Sequence, residues 1–374
     1  RNEFSPSGRS ESVFIIKPDA GCQGRGIFLT KKIESVTELP GKSVAQRYLT
    51  NPLLIDGYKF DLRLYVLVTS VDPMRVFLFN DGLVRICTEP FQVPTKDNIN
   101  NMCMHLTNYS VNKGNSKFTS DEAGEGGFKR SIKWFRKWLT DEGHDSDLVW
   151  ARLADACAKT LITAVPKLRR EYRSLNVTLP MNSSSPSASV AAQAPSSTCF
   201  TIIGMDLMID DKLEPWIIEI NHLPSFRQVT EMDYRIKKAL ITDTLRLLNV
   251  QLGAREDWQK DMARRNRERL LGLPPKKQAS KELGVGGSER GKSSSAGNDQ
   301  SPSRGRTKRR RKKNRLERAR EAIEQSIRGG FERIFPPSRT APNWRFRGYT
   351  RSMRLAESIY VKLAGYSPPT SPRS

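Results

Sequence analysis

Lys59, Asp61 and Arg63 stand two residues apart, with Phe60, Leu62 and Leu64 between and after them. In a β-strand that period sends the three charges to one face and the apolar residues to the other. Folding does not need three charges there. They form either the solvated face of an antiparallel sheet or a row of groups aimed at a charged ligand. Lys17 ends the apolar run Val13–Ile16 and precedes a loop holding Gly21, Gly24, Arg25 and Gly26. Backbone N–H groups in such a loop can approach a polyanion, and the lysine adds a positive charge. The spacing is neither GxxxxGK[ST] nor GxGxxG, so an ordinary hairpin loop fits these residues equally well. Glu219 and Asn221 share an i, i+2 relation at the end of the run Trp216–Ile220, and Asp206 lies in the apolar run before it. Two carboxylates and an amide form a hard oxygen set suited to Mg²⁺, and carboxylates within apolar strands are costly unless a cation or water meets them. Nucleophilic catalysis has less support: the histidines are His105, His144 and His222, and neither a GxSxG elbow nor a Cys-His signature occurs. Cys22 reads as a loop packing residue.

The elements that must position these groups change period along the chain, which indicates mixed α+β structure. Val13–Ile16 reads as a strand. Asp61–Thr69 alternates, and Arg75–Phe79 and Leu83–Cys87 flank Asn80-Asp81-Gly82, a pattern that predicts two strands joined by a hairpin turn. Phe200–Ile209 and Leu213–Ile220 predict two more strands around Asp210-Asp211. Trp150, Leu153, Cys157, Leu161, Ala164 and Leu168 recur at helical spacing, with Pro166 as an expected kink. Ile236, Leu240, Leu247 and Leu248 predict a second helix, so helices should cover an antiparallel sheet. Ser183–Ser197 is Ser/Ala/Pro-rich and reads as a disordered insertion.

The 374 residues carry 63 Lys and Arg against 40 Asp and Glu, net +23, and 37% are hydrophobic, enough for a sizeable core. The charge is concentrated: from Arg255 onward 31 Lys and Arg face 12 Asp and Glu, net +19, leaving +4 for the residues before it. The first part has a balanced globular composition, and the second is a polycation suited to an acidic partner. Within it, residues 253–273 read as a basic helix and 274–306 as a low-complexity linker. Leu316, Ala319, Ile323 and Ile327 form an apolar stripe on a charged helix that Gly329-Gly330 can end. Apolar runs are too short for a bilayer span, and no segment repeats. Five cysteines without CxxC spacing argue against a disulfide framework and a zinc site, and favour a reducing compartment. The chain opens at Arg1, which reads as a fragment whose natural start lies upstream.

Six motifs in order carry a resemblance: KPDAGCQGRGIFL from Lys17, AQRYL from Ala45, DGYKFDLRLYVLV from Asp56, MHLTNYSVNK from Met104, GMDLMID from Gly204 and EINHLPSF from Glu219. Together they resemble the tubulin tyrosine ligase-like family, and within it the tubulin polyglutamylases. The resemblance covers most of residues 12–252. It implies the carboxy-terminal part of an ATP-grasp core, in which α+β lobes hold ATP, followed by a basic, partly helical extension. It also implies ligation of free L-glutamate to a γ-carboxylate in a tubulin tail, through an acyl phosphate that the incoming amine displaces. By the same resemblance Lys17, Gln23 and Gly24 contact phosphates, Gln46, Arg47, Tyr48 and Leu49 form the adenine hinge, and Lys59, Phe60, Asp61, Thr107 and Asn108 complete the nucleotide pocket. Asp206, Glu219 and Asn221 hold Mg²⁺. Arg63 stabilises the acyl phosphate, Arg85, Tyr109, Ser110 and Lys129 receive glutamate, and Gln23 and His222 face the acceptor chain. On residue type alone, His222 reads as a polar strand end and Arg85 as a hairpin surface charge.

The Cys22-Gln23 pair resembles family members that lengthen existing chains. Residues 307–374, with GGFERIFPP from Gly329, resemble the basic region that grips acidic microtubules, and the expected setting is cytoplasmic and cytoskeletal, cilium and basal body included. A monomer is expected, without membrane. Lys308–Lys313 also fits a nuclear-localisation or nucleic-acid patch, but a solvated charge run is preferred and nucleic acid is not the expected partner. The alternatives are a non-catalytic microtubule binder and a glycylase of the same fold. Attraction between a polycation and an acidic surface is screened beyond roughly 8 Å at physiological salt. Added salt is therefore expected to lower the fraction of protein that cosediments with microtubules before it lowers turnover.

Overall fold

The computed structural model describes residues 12–19, 24–32, 42–119, 121, 126–176, 200–248, 263, 264, 267, 268, 270, 271, 318, 320–337, 349 and 351–359. The chain divides into two compact units. One comprises Arg1–Arg169, Cys199–Leu240 and Gly330–Ser374, the other Arg170–Thr198 and Ile241–Gly329. In the first unit β1 (Phe14–Pro18), β2 (Phe28–Thr30) and β3 (Ser43–Arg47) form a small antiparallel sheet in the order β2-β1-β3. Val13, Leu29 and Tyr48 close a core beneath it, with Phe91 and Ile99 packed alongside.

The larger sheet of the same unit has seven strands. These are β4 (Leu54–Ile55), β5 (Tyr58–Val71), β6 (Met74–Ile86), β7 (Lys129–Ser131), β8 (Thr201–Ile209), β9 (Pro215–Asn221) and β10 (Phe331–Phe335). The order is β10-β6-β5-β8-β9, with β7 beside β6 and β4 beside β5. All the pairings are antiparallel. Between β6 and β7 come two single turns, α1 (Met102–His105) and α2 (Tyr109–Asn112), and β7 runs directly into α3 (Ile132–Asp141). Ser131 makes that junction, because its hydroxyl accepts from Trp134 N and caps the helix. Ile132, Phe135 and Leu139 of α3 are buried together with Val149, Leu153, Cys157, Ile162 and Val165 of α4 (Ser146–Asn176), against Phe60, Leu62, Leu64 and Val66 of β5. Helices cover one face of the sheet as expected. Within α4 the buried stripe ends at Val165: Ala164 and Leu168 face outward, and the helix continues past Pro166.

Three expectations change. First, Asn80-Asp81-Gly82 is not a turn. β6 runs through it, and the chain reverses at Asp72-Pro73. Leu64 pairs with Gly82 while Val66 pairs with Leu78, so Phe79, Asn80 and Asp81 oppose Tyr65 alone in a bulge. The bulge separates the two neighbours of β6, with β10 pairing Val76–Phe79 and β7 pairing Leu83–Arg85. Asn80 N donates to Gly330 O at 2.8 Å, and Asp81 Oδ1 accepts from Gly82 N at 2.9 Å. Tertiary pairing outweighs local turn preference here. Second, the core does not end near residue 252. β10 lies at an edge of the sheet, Ile334, Phe335 and Tyr349 belong to its hydrophobic core, and Trp150 Nε1 donates to Glu332 Oε2 at 3.0 Å. Third, Phe60 is a core residue, 1% exposed and 5.3 Å from Phe135 between ring centroids, and its side chain takes no part in the charged face.

The second unit contains the end of α5 (Glu231–Leu248) from Ile241 onward and a helical stretch at 320–327, which stops before Gly329 as expected. The Ser183–Ser197 insertion, the 274–306 linker and Lys308–Lys313 lie outside the described residues, as does most of 253–273. Among the described residues no helix is long and apolar enough to cross a membrane.

Gly82 is set by space. A Cβ there would stand 2.3 Å from the Arg63 carbonyl oxygen, whereas the nearest atom to one at Gly114 is 3.7 Å away. Gly82→Ala is therefore expected to destabilise the protein by about 2 kcal/mol or more, and Gly114→Ala to stay within about 0.5 kcal/mol, both read by denaturant titration.

Candidate active site

The face of the large sheet opposite α3 and α4 carries charges in register. Asp61 pairs with Arg85, and Arg85 pairs with Lys129, across β5, β6 and β7. Arg63 pairs with Asp206, and Asp206 pairs with Glu219, across β5, β8 and β9. Directly opposed residues share a face, and Asp61 and Arg63 are two apart on one strand, so the two rows form a single charged ladder. The centre of this face is closed to solvent, while Glu219 at its β9 edge is exposed. Lys59 and Asp61 are 1% and 2% exposed, and Asp206 is 2% exposed.

Arginine forks join the rows. Arg85 Nε and Nη2 donate to the two Asp61 oxygens at 2.7 and 2.5 Å, and Nη2 also reaches Asp206 Oδ2 at 2.8 Å. Arg63 holds Asp206 through Nε to Oδ1 and through Nη2 to Oδ2 at 2.9 Å. Thr107 Oγ1 donates to Asp61 Oδ2 at 2.6 Å. Burial pushes the Asp61 carboxyl above its ordinary value, against the Arg85 guanidinium. Burial also works against Asp206, but Arg85 and Arg63 together outweigh it and hold that carboxyl below the usual range.

Lys59 lies beside this ladder. Its Nζ donates to the Tyr48 hydroxyl at 2.7 Å and to His105 O at 2.8 Å, and stands 4.1 Å from the Tyr48 ring centroid. His105 Nε2 is 3.0 Å from Asn98 O, which makes it the protonated nitrogen, so Nδ1 accepts from Tyr48 Oη at 3.2 Å. Burial lowers the Lys59 pKa to about 8. Lys17 reaches the same region from β1, donating to Gln46 Oε1 at 2.9 Å and to Ile218 O of β9 at 3.4 Å. Burial lowers its pKa, while Glu219 and Asp206 pull it upward. Lys17 therefore lies within the field of both carboxylates.

The remaining expected residues divide. Gly24, at φ 80°, closes against α2, where a Cβ would stand 3.2 Å from Val111 and 3.3 Å from Asn108. Tyr48 is buried, while Gln46 and Arg47 are exposed and Leu49 is half-buried. Tyr109 lies 5.4 Å, ring centroid to Nζ, from Lys129, and Ser110 follows it in α2. His222 is exposed just past β9. Gln23 lies outside the described residues. Two residues not expected from the sequence join the site: Asp233 and Lys237 of α5, whose ion pairs lead to Lys129. The first clue available to sequence was the charged pair at i, i+4 inside an apolar helix stripe.

Asp206, Glu219 and Asn221 share one face, since Asp206 opposes Glu219 and Gly204 opposes Asn221. Asn221 Nδ2 donates to Glu219 Oε1 at 2.7 Å. Among the described residues no group of three or more His, Cys, Asp or Glu could hold a metal ion. A hard cation would thus draw on two carboxylates and the Asn221 amide, and complete its shell from ligand or water oxygens. The donor set fits such a cation.

Residues 2–257 match the tubulin-tyrosine ligase family, and the chain belongs to that family. It is 41% identical over 263 residues to the tubulin polyglutamylase ttll6 of Danio rerio, covering 70% of this chain and 32% of the relative. It is 42% identical over 260 residues to a probable beta-tubulin polyglutamylase of Tetrahymena thermophila, covering 69% of this chain and 20% of the relative. Similarity to the tubulin polyglutamylase TTLL7 of Xenopus tropicalis is 38% over 366 residues, 96% of this chain and 36% of the relative. The chain thus spans about a third or less of these relatives' length.

The Lys59 position sets a pH signature. Below pH 8 the folded and unfolded states both carry the lysine proton, so the burial penalty is fully present. Between about 8 and 10.5 the folded state has released the proton and the unfolded state has not, so stability rises with pH across that window. Chemical denaturation of wild type and Lys59→Met is expected to show the wild-type-minus-variant difference moving in favour of wild type across that window.

Proposed function

We propose that this chain is the carboxy-terminal part of an ATP-grasp ligase core that elongates glutamate chains on tubulin tails. The observation that carries the reading is the ladder of Lys129, Arg85, Asp61, Arg63, Asp206 and Glu219 in strand register, buried at Lys129, Asp61 and Asp206, in a chain of the tubulin-tyrosine ligase family. A fold alone has no use for this row, because buried ion pairs add little net stability over apolar residues of similar size. A phosphoryl-transfer site uses it fully, since positioning and charge stabilisation supply most of the acceleration there.

In this reading bound ATP supplies the phosphoryl group that activates the acceptor γ-carboxylate as an acyl phosphate, and Mg²⁺ offsets the phosphate charge. Lys17, Lys59 and the Gln23-Gly24 loop hold phosphates; Gln46, Arg47, Tyr48 and Leu49 hold the base; Thr107 and Asn108 line the pocket. Asp206, Glu219 and Asn221 are the metal ligands. Arg63 is the residue we assign to the acyl phosphate, where a planar guanidinium can make two parallel hydrogen bonds. Arg85, Lys129, Tyr109 and Ser110 receive the free glutamate, whose amine attacks the acyl carbon, loses a proton and expels phosphate to leave an isopeptide bond. Gln23 and His222 face the acceptor chain.

The substrate assignment draws on the relatives named tubulin polyglutamylases. The net +19 from Arg255 onward suits an acidic microtubule surface and a cytoskeletal location. The complete protein, given ATP, Mg²⁺, microtubules and labelled amino acids in turn, is expected to incorporate glutamate and not glycine. Glu219→Gln, at an exposed position, is expected to lower incorporation about 100-fold or more without lowering the melting temperature. Glycine incorporation would identify a glycylase. Microtubule cosedimentation without any incorporation would leave only a binder.

A further inference from the structure

At one end of the ladder Lys129 is 8% exposed, and its Nζ donates to Asp233 Oδ2 at 2.5 Å. Asp233 is fully buried in the first turn of α5, and its other oxygen lies 3.3 Å from Lys237 Nζ one turn further on. The rest of the setting is also defined. Lys237 Nζ donates to Arg227 O, Val229 N donates to Asp233 Oδ2 at 3.3 Å, and Thr230 Oγ1 accepts from Asp233 N at 3.2 Å. The aspartate is thus locked by its own helix start and by the loop that follows β9.

The charges do not balance locally. Lys129 and Lys237 share the one carboxylate of Asp233, while the adjacent Arg85 is already engaged by Asp61 and Asp206. One carboxylate from a ligand would neutralise the excess. Lys129 has donors to spare: of its three N–H bonds one goes to Asp233, and its ammonium stands 5.4 Å from the Tyr109 ring centroid. Resting on the ligase reading above, in which Lys129 receives the incoming amino acid, we propose that Asp233 and Lys237 complete a clasp around that lysine. Asp233 is its positioning residue, acting through Lys129, and Lys237 steadies Asp233 from the opposite side.

The physical task of Asp233 is to keep a buried ammonium charged and aimed. Burial lowers the Lys129 pKa, and Asp233 opposes that fall while Lys237 and Arg85 add to it. The groups facing this cluster are Arg85 from β6, Tyr109 from α2, Lys237 from α5 and, toward Asp233, Tyr65 from β5. With Asp233 neutralised, the opposing pull disappears and Lys129 loses its proton at lower pH.

Steady-state kinetics of the complete protein on microtubules, with glutamate and ATP varied in turn, test the clasp. Asp233→Asn is expected to raise the glutamate KM roughly tenfold or more and to leave the ATP KM within about twofold. The pH above which the glutamate KM climbs moves downward in that variant, and Asp233→Glu recovers part of the loss. Adding Asp233→Asn to Lys129→Met costs nothing further, because the aspartate acts through that lysine. An unchanged glutamate KM, equal rises in both KM values, or full additivity of the two substitutions overturns the proposal. Should Asp233→Asn not fold, Lys237→Met takes its place, with a rise of roughly threefold in the glutamate KM alone; no rise is again fatal. A wild type that binds free glutamate with Asp233-dependent affinity but ligates none removes the ligase reading and keeps the clasp. A wild type that does neither removes both.

Discussion

Arg85 lies between two buried carboxylates, and the geometry of the site depends on that arrangement. Asp61 and Asp206 both bond its Nη2, at 2.5 and 2.8 Å, and Asp206 is further held by Arg63. Two carboxylates sharing a desolvated space cannot both stay ionised without such cations, and removing one cation leaves an uncompensated buried charge. The contacts span three strands, so they exist only while β5, β6 and β8 keep their register. That register rests in turn on Gly82, which allows β6 to pass the Arg63 carbonyl closely, and on the bulge at Phe79–Asp81. An apolar layer of α3 and α4 covers the opposite face and leaves the charged face free for chemistry.

Two sheets meet around Lys17 and Lys59. Lys17 belongs to the small sheet but bonds a β9 carbonyl of the large one, and Tyr48, which follows β3, bonds Lys59 of β5. The Lys59–Tyr48–His105 chain then continues to Asn98, so the turn before α1 is tied to the same lysine. Polar chains of this kind are favourable only when every member is satisfied. Each member here has a partner.

Much of this was legible from spacing. A period of two placed Lys59, Asp61 and Arg63 on one face, and the same rule excludes Phe60, whose ring packs on Phe135. The burial of that face was not legible, because it depends on Arg85 and Asp206 arriving from other strands in a register that local sequence does not encode. Asn80-Asp81-Gly82 has the composition of a hairpin turn, yet pairing on both sides by β10 and β7 holds it within a strand. Asp233 escaped notice for a related reason: its partner Lys129 is 104 residues away in the chain. β10 was hidden by the basic composition around it, which drew the reading toward a separate tail.

β10 also changes how the cationic segment is held. The chain runs out through α5, which ends at Leu248, and comes home at Phe331 to take a place in the large sheet. The intervening positive stretch is therefore moored at two points, like a mooring line and not a streamer. A single backbone nick within it would leave each piece joined to one of those two elements. Removing the chain from Phe331 onward, by contrast, would take an edge strand from the sheet and leave the intervening charges in place.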